Sequence, residues 1–290
     1  MSRHDGADAV TWRLEITHTT SYRYSRPVAQ SYNEARLEPR SDRHQTVLSS
    51  RVEVSPSARV VRHIDYWGSV VHHFDLQIPH DELTVVGRAV VEAGQDPPDP
   101  GDASWEDLRD PASLDTFEEL LSPTPMVSWE GELAEVAAQI QADHPTPAAA
   151  AEAASGWVHD RLDYRRGGTH VQTTAAEVLA HGAGVCQDFA HLNLALLRAM
   201  GIPSWYVSGY LHPSSDAGVG EVITGESHAW VAAFTGSVWT LDPTSLHPVA
   251  ERHVRVAAGR DYHDVAPFRG IYAGDADQEL EVTVEIARTA

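Results

Sequence analysis

The stretch HGAGVCQDFAHLNLALLRAMGIP, residues 181–203, holds the one cysteine of the 290-residue chain, Cys186. After it, Phe189, Leu192, Leu196 and Met200 recur at spacings of three and four, and Ala190, Leu194 and Leu197 widen the apolar stripe until little of the segment is polar. The pattern predicts a buried helix. Gly182 and Gly184 let the chain turn sharply before it, and Gly201 with Pro203 stops it. Cys186 therefore falls in the first helical turn, where unpaired backbone N–H groups and the helix dipole stabilise a thiolate or an oxyanion. A lone cysteine also packs well as a small hydrophobe, so a reactive role requires a base and an orienting group elsewhere.

Both are offered by GESHAWVAAFTGSVWTLDPTS, residues 225–245, where two strand-like segments flank a turn at Thr235-Gly236-Ser237. In an antiparallel hairpin an odd loop centred on 235 or 236 puts His228 and Asp242 on one face. Centred on 235 they are directly opposite; centred on 236 they are diagonal neighbours. Either arrangement permits a histidine–carboxylate hydrogen bond. Cysteine, histidine and aspartate so placed are the parts of a nucleophilic triad, although among 17 histidines and 42 acidic residues a compatible hairpin can also arise by chance.

Outward from this centre the chain divides. Residues 12–92 read as strands, alternating or β-branched in WRLEITHTTSYRYS, SSRVEVSP and ELTVVGRAVVEA, and predict an antiparallel β domain over residues 1–95. The Pro/Asp/Gly-rich stretch that follows marks a linker or exposed excursion over 96–125. GELAEVAAQIQADH, the alanine-rich TPAAAAEAASGWVHDRL and the short TTAAEVLAHG predict helices, the second with Thr146 as N-cap and Pro147 at the first position. Strands return in SWYVSGYL, SHAWVAAF and SVWTLDP, which places a mixed core over 126–275 and a C-terminal strand over 276–290.

Composition narrows the function classes. The formal charge is −21, and all 21 basic residues are arginine. So acidic a surface repels nucleic-acid backbones and anionic membranes, and neither is an expected partner. No apolar run approaches the length of a membrane span and the N-terminal residues lack a signal-peptide core, so a cytoplasmic location is expected. No internal disulfide can form from one cysteine. Neither a cofactor nor a metal is expected: there is no His-Glu-x-x-His run, no phosphate-binding loop and no third glycine of a dinucleotide fingerprint, and strand alternation sends His72 and His73 to opposite faces. RDYHDVAPFRG, residues 260–270, reads equally as a binding rim or as a buried ionic turn.

Three motifs in order, GAGVCQDFAHLNLALLRAMGIPSWYVSGYL, SHAWVAAF and WTLDPTS, with the tail HVRVAAGRDYHDVAPFRGIY, resemble the bacterial transglutaminase-like family, often described as candidate cysteine proteases. The resemblance spans roughly residues 125–275, and the upstream β region resembles the N-terminal region that commonly precedes that core. It implies an α+β fold with a papain-like, transglutaminase-like core, its helix bearing Cys186 packed on an antiparallel sheet. It further implies Cys186 as nucleophile, His228 as base and acid and Asp242 as orienter, acting on a peptide or other amide. One departure is Asp-Pro-Thr-Ser where Asp-Pro-Thr-Asn is commoner. Gln187, Tyr164 and Trp230 are candidates for oxyanion or substrate contacts, although Gln187 can equally cap the helix and an aromatic beside a strand is more often core. The function expected is cysteine-dependent amide hydrolysis through a thioester, with acyl transfer to an amine as one alternative and a non-catalytic scaffold as another.

Overall fold

The computed structural model describes residues 11–94, 99–225 and 227–290. Residues 1–10 and 95 of the expected β domain, and 96–98 of the expected linker, lie outside the described residues. Six strands open the chain: β1 (Thr11–Val28), β2 (Gln30–Ala35), β3 (Gln45–Ser55), β4 (Val61–Ile64), β5 (Val70–Leu76) and β6 (His80–Gly94). Five helices follow, α1 (Trp105–Leu108), α2 (Pro111–Thr116), α3 (Glu118–Leu121), α4 (Glu132–Asp143) and α5 (Pro147–Arg161), then β7 (Asp163–Tyr164), α6 (Ala175–His181), β8 (Ala183–Gly184) and α7 (Cys186–Ala199). The chain returns to strands in β9 (Ser204–Leu211), β10 (Val222–Gly225), β11 (Ser227–Phe234), β12 (Val238–Leu241) and β13 (His253–Gly259). It ends through α8 (Tyr262–Val265), β14 (Phe268–Ala273) and β15 (Gln278–Arg288).

Local sequence accounts for the helix boundaries. Thr146 Oγ1 accepts the Ala149 N–H at 3.3 Å with Pro147 at the first position of α5. Thr174 and Glu177 form a reciprocal cap on α6, which closes on Gly182 at φ +64°. Leu133, Ala137 and Ile140, three and four apart, bury one face of α4. In α7 Asp188 through Arg198 are all buried, the enclosure expected of its apolar pattern.

The expected helix on an antiparallel sheet is present, α7 lying against the sheet ordered β12-β11-β9-β13. Two further sheets, five-stranded in the order β10-β15-β1-β6-β3 and four-stranded in the order β14-β2-β5-β4, enclose a second core around Phe74, Leu76 and Leu83. These sheets differ from the sequence boundaries at 95 and 275. They recruit β10, β14 and β15 from downstream, because backbone pairing answers to spatial adjacency rather than to chain order. Ile16 of β1 lies between Ala89 of β6 and Ile286 of β15. The stretch 99–125 is likewise more ordered than a linker: α1 carries a Ser104–Asp107 capping box, Leu108 and Leu120 are buried, and the Ala103 N–H donates to the Thr235 carbonyl.

One continuous core joins the two halves, running from Trp12, Leu14 and Ile16 through Val284 and Ile286 to Leu192, Leu196 and Tyr210. His18 Nδ1 and Tyr210 Oη, 3.0 Å apart, add a buried polar tie between β1 and β9. A shared core implies shared unfolding. Ile286→Ala should therefore cost about 2–5 kcal/mol and still give one transition, with far-UV circular dichroism and tryptophan fluorescence melting together; two separated transitions would contradict the shared core.

Candidate active site

Cys186 sits half-buried at the first position of α7. Beneath it, Asp188 accepts the Val185 N–H at 2.7 Å and the Thr169 hydroxyl at 2.6 Å through the same oxygen. Burial pushes the Asp188 carboxyl above its ordinary value and these two donors act against that. Gly184 is required here, since a Cβ on it would stand 2.6 Å from Asp188 Cβ. The parallel pair β7–β8 sets Tyr164 opposite Gly184, two residues before the thiol. At the far end of α7 the buried Arg198 donates to the Ser204 carbonyl at 3.0 Å and the Arg260 carbonyl at 2.6 Å, which fixes the helix to β9 and to the turn before α8.

His228 lies on β11 opposite Gly209 of β9. The β11–β12 register pairs Val231 with Leu241 and Phe234 with Val238, so the hairpin centres on Gly236 and Asp242 is the diagonal neighbour of His228. His228 Nε2 is 3.0 Å from Asp242 Oδ2, and the Cys186 thiol is near enough to raise the pKa of the imidazole. Burial pulls the His228 pKa down, but its interactions with Asp242 and Cys186 outweigh this and hold the value at about 9.

Asp242, immediately after β12, has a side chain with no solvent exposure. Its Oδ1 accepts the Thr244 N–H at 2.9 Å, and its Oδ2 accepts the Ser245 hydroxyl at 2.8 Å in addition to His228. Burial raises its pKa, but these donors prevail and keep the carboxyl well below the usual carboxylate range. The serine that departs from the commoner Asp-Pro-Thr-Asn pattern is therefore one of the donors to the carboxylate.

The remaining sequence-selected residues surround this group in different ways. Trp230 is 1% exposed, stacked on His228 at 6.0 Å, and shields the imidazole from water. Gln187 donates its side-chain amide to the Val171 carbonyl at 3.1 Å. Tyr164 is half-exposed beside the helix N-terminus, 6.2 Å from the Phe189 ring. A residue that sequence reasoning missed is His253 on β13, whose Nε2 stands 3.8 Å from Asp242 Oδ2. Its place is set by pairing of β13 with β9 across forty residues, for which the sequence carries no local signal. The ligand-type atoms of His228, Asp242 and His253 lie within 4.8 Å of one another, the one such three-residue group among the described residues.

Two expectations follow. A Cβ on Gly209 would meet the Val254 carbonyl and lie 2.7 Å from Trp230 Cη2, so Gly209→Ala should displace the indole, red-shift tryptophan emission and slow Cys186 alkylation at pH 6 by about tenfold; an unchanged rate would deny Trp230 its part in seating His228. The second concerns stability. Because the folded His228 pKa of about 9 exceeds the ordinary 6.5, its contribution is fully present below pH 6.5 and is lost as the pH rises through 9. The urea midpoint should fall across that window in the wild type, and this component should vanish in His228→Ala.

Comparison with known proteins agrees with this arrangement of elements. Residues 14–92 match the bacterial transglutaminase-like N-terminal region and residues 134–243 the transglutaminase-like superfamily. An uncharacterized protein of Mycobacterium leprae is 47% identical over 279 residues, 96% of this chain and 100% of its own length. Another, of Mycobacterium tuberculosis, is 34% identical over 299 residues, 95% of this chain and 93% of its own. The crystal structure of a candidate cysteine protease from Cytophaga hutchinsonii shares the fold at a TM-score of 0.77, with 21% identity over 97% of this chain and 92% of that one. The chain thus belongs to the transglutaminase-like superfamily, its core preceded by the bacterial transglutaminase-like N-terminal region.

Proposed function

We propose that the protein is a cysteine-dependent amide hydrolase in which Cys186, His228 and Asp242 form the catalytic triad. The observation that carries the reading is the imidazole of His228, 3.0 Å from a buried carboxylate and raised in pKa by that carboxylate and by the Cys186 thiol together. An imidazolium maintained to about pH 9 is the partner a thiolate nucleophile needs, and it holds the proton that the leaving amine must receive. Asp242 fixes the ring orientation and stabilises its positive form.

The sequence of events follows from these positions. The Cys186 thiolate adds to the amide carbonyl, and the charge on oxygen is met by the N–H groups of Cys186 and Gln187 at the start of α7, the Asp188 N–H being bonded to the Val185 carbonyl. The intermediate collapses, the C–N bond breaks and His228 transfers its proton to the departing amine. Neutral His228 then takes a proton from water as the hydroxide adds to the thioester, and the acid leaves with Cys186 restored. Hydrolysis is favoured over transfer because Cys186 is only partly buried and an acyl-thioester that water can reach hydrolyses. The chain also carries no lysine with which to cross-link itself. A free thiol at the centre of the chemistry suits a reducing compartment such as the cytoplasm.

Incubation with a tryptic digest of casein in H₂¹⁸O, with and without millimolar methylamine, tests the reading. New carboxyl termini carrying ¹⁸O should dominate in both cases; methylamide products in excess would assign acyl transfer instead. Cys186→Ala and His228→Ala should each lower turnover by ~10⁴-fold or more, and Asp242→Asn by less. In wild type, iodoacetamide should modify Cys186 at pH 6 at least ~10-fold faster than in His228→Ala; equal rates together with no product from any digest would leave the scaffold reading in place.

A further inference from the structure

We infer that His253 is a positioning residue of this site: a neutral second histidine whose Nε2–H faces Asp242 and holds the carboxylate in line with His228. The inference rests on the triad reading above and adds to it a residue on a different strand. His253 is buried on β13, 6.1 Å ring to ring from His228 and edge-on to Trp230 at 5.3 Å. The turn before it wraps its ring. The Ala250 N–H donates to His253 Nδ1 at 3.3 Å while the Ala250 carbonyl accepts the His253 N–H at 2.9 Å.

That contact settles where the ring proton lies. An Nδ1 that accepts from a backbone N–H carries a lone pair, so the proton is on Nε2. Nε2 makes no hydrogen bond and faces Asp242 Oδ2 at 3.8 Å, so the pull between them is electrostatic, and the reverse tautomer would turn a lone pair toward a carboxylate and an N–H toward an N–H. The same argument tells against a metal among His228, Asp242 and His253. A metal-bound imidazole ligates through one nitrogen and donates from the other, whereas here the nitrogen away from the carboxylate is an acceptor. Burial keeps the ring below the usual imidazole pKa, and the positive His228 reinforces this against the pull of Asp242. Those two groups and Arg252 are the charges that act on it, while Asp42, Arg43 and Arg255 line a cavity of about 330 Å³ on which His253 also borders. With Ser245, Thr244 and His228, a fourth donor-bearing group thus surrounds the carboxylate, drawn from a strand outside the hairpin.

The test uses the full chain and needs no substrate. Long-range ¹⁵N–¹H correlation spectra of ¹⁵N-histidine-labelled protein at pH 7 to 8 should show His253 neutral with its proton on Nε2. His253→Phe, which keeps a ring but no donor, should slow iodoacetamide modification of Cys186 at pH 6 by about tenfold and weaken the downfield His228–Asp242 proton signal. His253→Gln, which restores an N–H donor, should keep both within about threefold of wild type. A proton on Nδ1, an imidazolium at pH 7, or a phenylalanine variant alkylated at the wild-type rate would overturn the inference. If the phenylalanine variant does not fold, the wild-type tautomer and the glutamine variant still decide it. If no amide is ever hydrolysed, the proposed function fails while these readouts stand, so the two failures are separable.

Discussion

A carboxylate withdrawn completely from water is the constraint on which this structure turns. An ionised group in such a place costs several kcal/mol unless surrounding donors replace its hydration. Asp242 receives the Thr244 N–H and the Ser245 hydroxyl from the turn that follows it, and His228 from the neighbouring strand. The turn, the hairpin and the sheet must each be in register for the charge to be tolerated. Alignment of the proposed triad and local stability therefore have one origin: the arrangement that satisfies Asp242 is the arrangement that sets His228 beside Cys186.

The thiol is held by an equivalent logic on the other side. α7 is enclosed along nearly its whole length, so it has little freedom to slide, and polar contacts fix both of its ends. Asp188 seats the first turn over Gly184, and Arg198 anchors the last turn to two carbonyls from separate segments. A helix locked at both ends delivers its N-terminal N–H groups and its cysteine as one rigid piece, as preorganised stabilisation of an oxyanion requires.

What was legible in the sequence follows from the range over which each feature is determined. The periodicity of α7, the caps at Thr146 and Gly182, and the shared face of His228 and Asp242 depend on residues within a turn or a hairpin, and these could be read directly. Parity of residue numbers gave the common face, while the choice between opposite and diagonal waited on a loop centred at Gly236. His253 was hidden because its neighbours come from a strand pairing far away in the chain. The recruitment of β10, β14 and β15 into the upstream sheets was hidden for the same reason. Alternation in LEVTVEIAR shows a strand but not its partner.

That partnership has a consequence for the order in which the molecule can form. β1 is paired on one side with β6, available after fewer than a hundred residues, and on the other with β15, so that Leu14 meets Arg288. Closing so large a loop is entropically slow compared with local contacts. During synthesis the edge of β1 therefore stays open until residues 278–288 have emerged, and β10, which leads into the strand of His228, pairs with that same late strand. That late strand thus pairs with Gly225, three residues before His228, which ties the setting of the histidine beside Cys186 to the emergence of residues 278–288.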